Sequence, residues 1–385
     1  MKRILSLAVL IFGFASAAPA QIGKNVTVPA GSDEDKALTP IYNAPDGPEK
    51  VALLDKFMSE YGKGDFELLG DELYVQTYLA QKNYAKVYEF GDKALALDPN
   101  SLTTAVNIIR AADAQGDTAK IYDSGEKAAG MIARYKALPA PEGTSADDCA
   151  ATKEHTLKDV ESDIGYVQYA MVNAAFKTTA PAARAKLFER YASAFPDSSY
   201  TMNVREQTAI AYQQAQDTPH MISTAQAILE KDPNNVSMLI LLADVWSDNG
   251  QELDKAAANA QKALDVLKGA KKPDNVTDED WQKQTTLEKG IAYSAIGEVD
   301  VRKTKNAPAV DAFKQANPLL QGNNYYYGRN LYRLGFTLAK MQRTAEARTV
   351  LTEAVSVDSP FKSLAQETLN KIGGPVGKRP SRKSS

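Results

Sequence analysis

The sequence predicts an all-helical chain assembled from repeated helix pairs, and three observations carry that prediction. Segments of about 12 to 18 residues place Ala, aliphatic and aromatic side chains at helical spacing, separated by short breaks such as Asp98-Pro99-Asn100 and Asp232-Pro233-Asn234. No set of Val, Ile or Thr runs with period two accompanies them, so strands are not expected. The third observation is internal repetition. Ala85, Lys86, Tyr88, Gly91, Lys93 and Ala94 recur as Ala119, Lys120, Tyr122, Gly125, Lys127 and Ala128, each exactly one period of 34 positions later.

Taken in chain order, residues 1–21 hold two cations (Lys2, Arg3), an apolar stretch from Ile4 to Phe14 and small residues ending in Ala18-Pro19-Ala20. This is the plan of a secretory signal peptide over 1–20, and the apolar stretch is shorter than the roughly 20 residues that span a bilayer. Residues 21–48 carry Pro, Gly and acidic punctuation without helical period and read as a flexible leader. From Glu49 the helical texture begins, and EKVALLDKFMSEYG (49–62) reads as a lone second helix of a pair.

The 34-residue unit resembles the tetratricopeptide repeat, and later segments carry the same pattern. Counting from Gly328 as position 1, Leu331, Leu334-Gly335, Leu338, Ala347, Leu351 and Ala354 fall at positions 4, 7-8, 11, 20, 24 and 27. After Pro233, Leu239, Leu242-Ala243, Trp246 and Gly250 fit a first helix, while Ala256, Ala260 and Ala263 fit a second if one residue is inserted between them. Ala209 and Tyr212, then Phe188 to Pro196, then Ala309, Phe313 and Ala316 mark further units. The resemblance implies a TPR-like solenoid of α-helical hairpins over 49–372, roughly seven or eight units wound as a right-handed superhelix. Small residues are needed where two helices cross closely, and a large neighbour fills the space beside each.

Two stretches depart from the plan. Residues 133–165 form a long connection with a helix from about Ala146, and residues 268–290 hold a Lys-Pro-Asp loop before a helix that starts near Trp281 behind a capping-box-like Thr277. Phe361 to Ile372 reads as a terminal capping helix. Residues 373–385, with Lys378, Arg379, Arg382 and Lys383, read as a disordered, solvated basic tail.

Composition narrows the chemistry. With 45 Lys+Arg against 48 Asp+Glu there is no basic excess of the kind that binds nucleic acid, and 44% apolar residues suffice for a core. One Cys (Cys149) and two His (His155, His220) leave no disulfide framework and no Cys-rich metal site. No phosphate-cradling Gly-rich motif is present, so neither catalysis nor a cofactor is expected. Asp147-Asp148 and Asp278-Glu279-Asp280 suit helix starts, where acidic groups complement the helix dipole.

In the resembling family the first helices line the groove, at positions where this chain carries Arg329, Tyr332 and Phe336, with Arg110 and Asp244 at corresponding places. Arg and aromatic side chains are the usual anchors of protein interfaces. These five are therefore the candidate contacts for a protein or peptide partner. The expectation is an exported, periplasmic or extracellular, non-enzymatic scaffold that does not insert in a membrane once the signal peptide is cut, acting in envelope complex assembly. An enzyme or domain handling envelope polysaccharide, and a structural spacer without a ligand, are the alternatives.

Overall fold

The computed structural model describes residues 22–373. The segment expected to be a signal peptide lies outside the described residues, and so does all of the expected basic tail but Gly373. Among the described residues there are eighteen helices and no strand. Two compact units divide within one helix, after Ala211.

The first unit opens with α1 (Asp33–Asn43) and α2 (Pro48–Tyr61), then α3 (Asp65–Ala80) and α4 (Tyr84–Leu97), α5 (Leu102–Gln115) and α6 (Thr118–Ala137). A lone α7 (Ala146–Asp159) follows in the long connection, then the pair α8 (Glu161–Lys177) and α9 (Pro181–Ala194). The division falls in α10 (Thr201–Gln214). The second unit holds α11 (Thr218–Lys231), α12 (Val236–Asn249) with α13 (Leu253–Gly269), α14 (Asp278–Arg302) with α15 (Asn306–Leu320), α16 (Asn324–Lys340) with α17 (Thr344–Ser356), and α18 (Lys362–Lys371). Within each pair the two helices pack on one another, and first helices of adjacent pairs lie side by side: α3 on α5 and α5 on α8 in one unit, α12 on α14 and α14 on α16 in the other. This is a tetratricopeptide-like, all-α helical-hairpin fold in each unit.

The 34-residue period is written into the turns. Lys82 and Gly116, one period apart, both adopt the left-handed conformation (φ 57° and 69°), and the next residues, Asn83 and Asp117, cap the second helices through their side chains. Gln216, Thr304 and Gln342 repeat the left-handed turn at φ 57–60°, and after the first of them Asp217 caps α11 through its side chain. In each turn the following N–H closes back on the first helix, as in Asp117 N to Ala112 O (2.9 Å) and Arg343 N to Leu338 O (3.0 Å). Between α12 and α13 two left-handed residues occur, Gly250 and Glu252, which is where the inserted residue of that unit sits.

Close crossing explains the glycines. A Cβ on Gly335 would stand 2.6 Å from Leu351 Cγ, so α16 and α17 can approach only because position 8 of that unit has no side chain. Gly297 does the same for Phe313, which is fully buried between α14 and α15.

The region 22–48 is not a flexible leader. Ser32 caps α1 by accepting from the Asp35 N–H, Asp33, Glu34 and Asp35 stabilise its first turn, and Leu38 and Ile41 are buried against Leu54, Phe57, Leu73 and Tyr74. Helix α2 is accordingly not a lone second helix, because α1 is its partner. Pro40 and only two buried apolar side chains hide this helix from a periodicity reading.

Candidate functional site

The second unit assembles its candidate side chains on its first helices. On α16 the stripe Leu331, Leu334 and Leu338 is buried against the second helices, which turns Arg329, Tyr332, Arg333, Phe336 and Lys340 toward a different face. Helix α12 supplies Asp244 and Asp248, and α14 supplies Ser294, Glu298 and Arg302.

These residues form a chain of ion pairs across three helices. Arg329 donates from Nη2 to Asp244 Oδ1 (2.5 Å) and from Nη1 to Asp248 Oδ2 (2.9 Å). Arg333 pairs with Asp248, lies 3.4 Å from Glu298 Oε2 and donates to Ser294 Oγ at 3.3 Å. Arg302 closes the far end, donating to Glu298 Oε1 (2.8 Å) and to the Asp248 backbone carbonyl (2.6 Å). Arg329 is only 3% exposed and Asp244 7%. Burial pulls the Arg329 guanidinium down, but Asp244 and the flanking Tyr325 and Tyr326 carry it above the ordinary arginine value. For Arg333 burial prevails and lowers it to about 10, which still leaves it charged at neutral pH. Burial, and after it Asp244, pushes the Tyr326 hydroxyl up to about 12, so it stays protonated beneath the Arg329 guanidinium, 5.0 Å from its ring.

Above this layer is an open cavity of about 610 Å³. Its walls are Tyr332, Phe336 and Phe361: Tyr332 stacks on Phe361 with centroids 6.4 Å apart and tilts against Phe336 at 6.0 Å. Lys340 lies 5.3 Å from the Phe336 ring centroid at the rim. Phe336 is 38% exposed, a large apolar side chain left facing solvent.

Of the five sequence candidates, the structure therefore brings together Arg329, Asp244, Tyr332 and Phe336. It corrects the expectation that Arg329 and Asp244 present themselves to a partner, since each is spent on the other in the interior. Arg110 belongs to the first unit, where its guanidinium pairs with Asp163 (3.1 Å) and stacks on Tyr166 (4.5 Å). Sequence reasoning missed Asp248, Glu298, Arg302, Arg333 and Phe361. A signal existed for four of them: Asp244/Asp248, Glu298/Arg302 and Arg329/Arg333 are all i, i+4 pairs of charges on first helices. His155 and His220 each pair with an Asp on or next to their own helix, and no cluster of three metal-ligating side chains occurs among the described residues.

The helices, their pairing and the 34-residue turn device define a class, the tetratricopeptide-like helical-repeat proteins. No family model matches the chain, and no curated protein matches it in sequence. Among solved structures it is similar to the APC/C hetero-tetramer Cut9-Hcn1 (13% identity, 88% of this chain and 55% of that one, TM-score 0.40). It is also similar to yeast Tom70 (13% identity, 92% and 66%, TM-score 0.38) and to the P58(IPK) TPR domain (12% identity, 89% and 97%, TM-score 0.31). The chain thus spans about half the length of the first of these and about two thirds of the second. No helix among the described residues is long and apolar enough to cross a membrane.

Proposed function

We propose that the chain is an exported, non-enzymatic scaffold that binds a protein or peptide through the aromatic-walled cavity of its second unit, in the assembly of envelope complexes. The observation that carries the reading is the pairing of an aromatic wall, solvent-facing Phe336 with half-buried Tyr332 and Phe361, with a layer of ion pairs that holds its helices in place. Aromatic side chains over a rigid base make contact area at low entropic cost, as at interface hot spots. Export rests on the leader pattern in residues 1–20.

The test is affinity capture from the source's own envelope fraction, with the wild-type chain beside a Tyr332→Ala/Phe336→Ala double variant. Wild type should retain one stoichiometric protein that the variant loses while its helical circular dichroism is unchanged. A captured protein held equally by both chains removes the cavity from the reading, and accumulation of the chain in the cytoplasm with residues 1–20 intact removes export.

A further inference from the structure

Residues 22–32 follow a path that the repeat plan does not contain. Ile22 is 2% exposed within the core cluster of α5, α6, α8 and α9, and its carbonyl accepts the N–H of Leu102 (3.1 Å), the first residue of α5. That N–H is one of the donors a helix start leaves without a partner. Gly23 has φ +126°, and a Cβ there would stand 2.6 Å from Asp98 Oδ2 and 3.0 Å from Ser101 Cα. The Lys24 N–H donates to Asp98 Oδ2 at 2.6 Å across a separation of 74 residues, and its ammonium faces Asp65 at the start of α3 (3.7 Å). Further on, Val28 packs against the α1, α2 and α3 cluster before Ser32 caps α1.

The seat is built for this segment. Asp98 is 5% exposed and Ser101 3%; Asp98 uses its other oxygen to accept from Asn100 N (3.0 Å), so the Lys24 amide completes a buried carboxylate. Only glycine fits the slot between an apolar side chain and an amide donor. The principal helix contacts among the first three pairs run between chain neighbours or between the side-by-side α3 and α5, and none of them reaches from the first pair to the third.

We propose that residues 22–32 are a seated strap that fastens the first helix pair to the third, so that α1 to α5 open together rather than fraying pair by pair from the N-terminal end. In a repeat array each pair is held mainly by its neighbours and terminal pairs open first. A link that skips a pair couples the end to the interior. The seat is in effect a recognition site for an extended Ile-Gly-Lys segment, and the chain's own segment is its occupant.

Amide hydrogen exchange on the full chain tests this. In wild type the Lys24 and Leu102 amides should exchange as slowly as each other and as the amides of α2. In Gly23→Val the amides of α1, α2 and the first turn of α5 should accelerate together by about tenfold or more, with α12 to α17 unchanged. Exchange of the wild-type Lys24 amide at the free-peptide rate overturns the proposal, and so does an acceleration in Gly23→Val confined to residues 22–32. If Gly23→Val does not fold, the wild-type rates decide the matter alone.

Discussion

Two arginines on first helices, Arg329 in the second unit and Arg110 in the first, look alike in the sequence and do opposite things in the structure. Arg329 is buried, bridges Asp244 and Asp248 and lies over two tyrosines, whereas the Arg110 side chain is 43% exposed and holds Asp163 over the Tyr166 ring at the surface. Position in the repeat sets which face a side chain leaves from. Whether it ends in solvent depends on the next helix: beside Arg329 and Arg333 the intervening α14 presents the small Ser294, and Asp244 and Asp248 of α12 come within reach. Beside Arg110 the neighbouring α8 offers Asp163 and Tyr166, which meet the guanidinium at the surface.

The comparison can be broken most forcefully by Arg329→Met. Removing one partner of a buried pair leaves Asp244 charged and unpaired, an expected loss of about 3–5 kcal/mol. The chain's two tryptophans, Trp246 and Trp281, both lie in the second unit, so urea unfolding followed by tryptophan fluorescence reads that unit. An unchanged midpoint would show that the pair contributes nothing.

A buried acid without such a guanidinium sharpens the contrast. Asp71 is 3% exposed, and burial pushes its carboxyl up to about 6, with Lys93 opposing the shift and Glu67 adding to it. Its folded value lies above the ordinary 3.8, so the folded chain favours the protonated form. This group's contribution to stability therefore grows as pH falls through 6 and levels off near 4. Asp71→Asn should raise the melting midpoint by a few degrees at about pH 8 and by less at about pH 4.5. An equal rise at both pH values would exclude ionisation as the cause.

Smaller effects come from the turns. Gln342 and Lys82 hold the left-handed conformation at φ 57° with full side chains, so Gln342→Gly and Lys82→Gly should each stabilise by about 0.5–1 kcal/mol in thermal melts. A loss of stability in both would mean that the side chains contribute more than the backbone strain costs. The smallest change is expected at the surface arginine: Arg110→Ala should cost within about 1 kcal/mol in hydrogen exchange of α5 and α8. A loss as large as that of Arg329→Met would erase the distinction between the two sites.

Much of the fold was legible because it is local. The 34-residue offset between residues 85–94 and 119–128 corresponds to equivalent helices α4 and α6, and the inserted residue before Ala256 appears as a second left-handed turn residue. The connection with its helix from Ala146 and the helix capped by Thr277 lie where the residues placed them. Helix α1 was not legible, since Pro40 and acidic residues mask a helix with two buried apolar side chains. The site was half legible. Spacing placed Arg329, Tyr332 and Phe336 on one face, but the burial of Arg329 depends on Asp244 and Asp248, more than 80 positions away. Phe361 joins the wall from the turn before α18, outside any repeat position.

The strap adds a consequence for the order in which the molecule comes into being. A chain made from its N-terminus produces Ile22 about 80 residues before Leu102, and a newly made segment folds as far as its partners exist. Pairs α1/α2 and α3/α4 can close as soon as they emerge, because their contacts are near neighbours. Ile22 must wait, with its side chain uncovered, until α5 has formed and offered its first N–H. The earliest part of the described chain to be synthesised is therefore placed only after two later-made helix pairs have begun to form, and any factor that delays α5 prolongs the time for which that apolar end stands open.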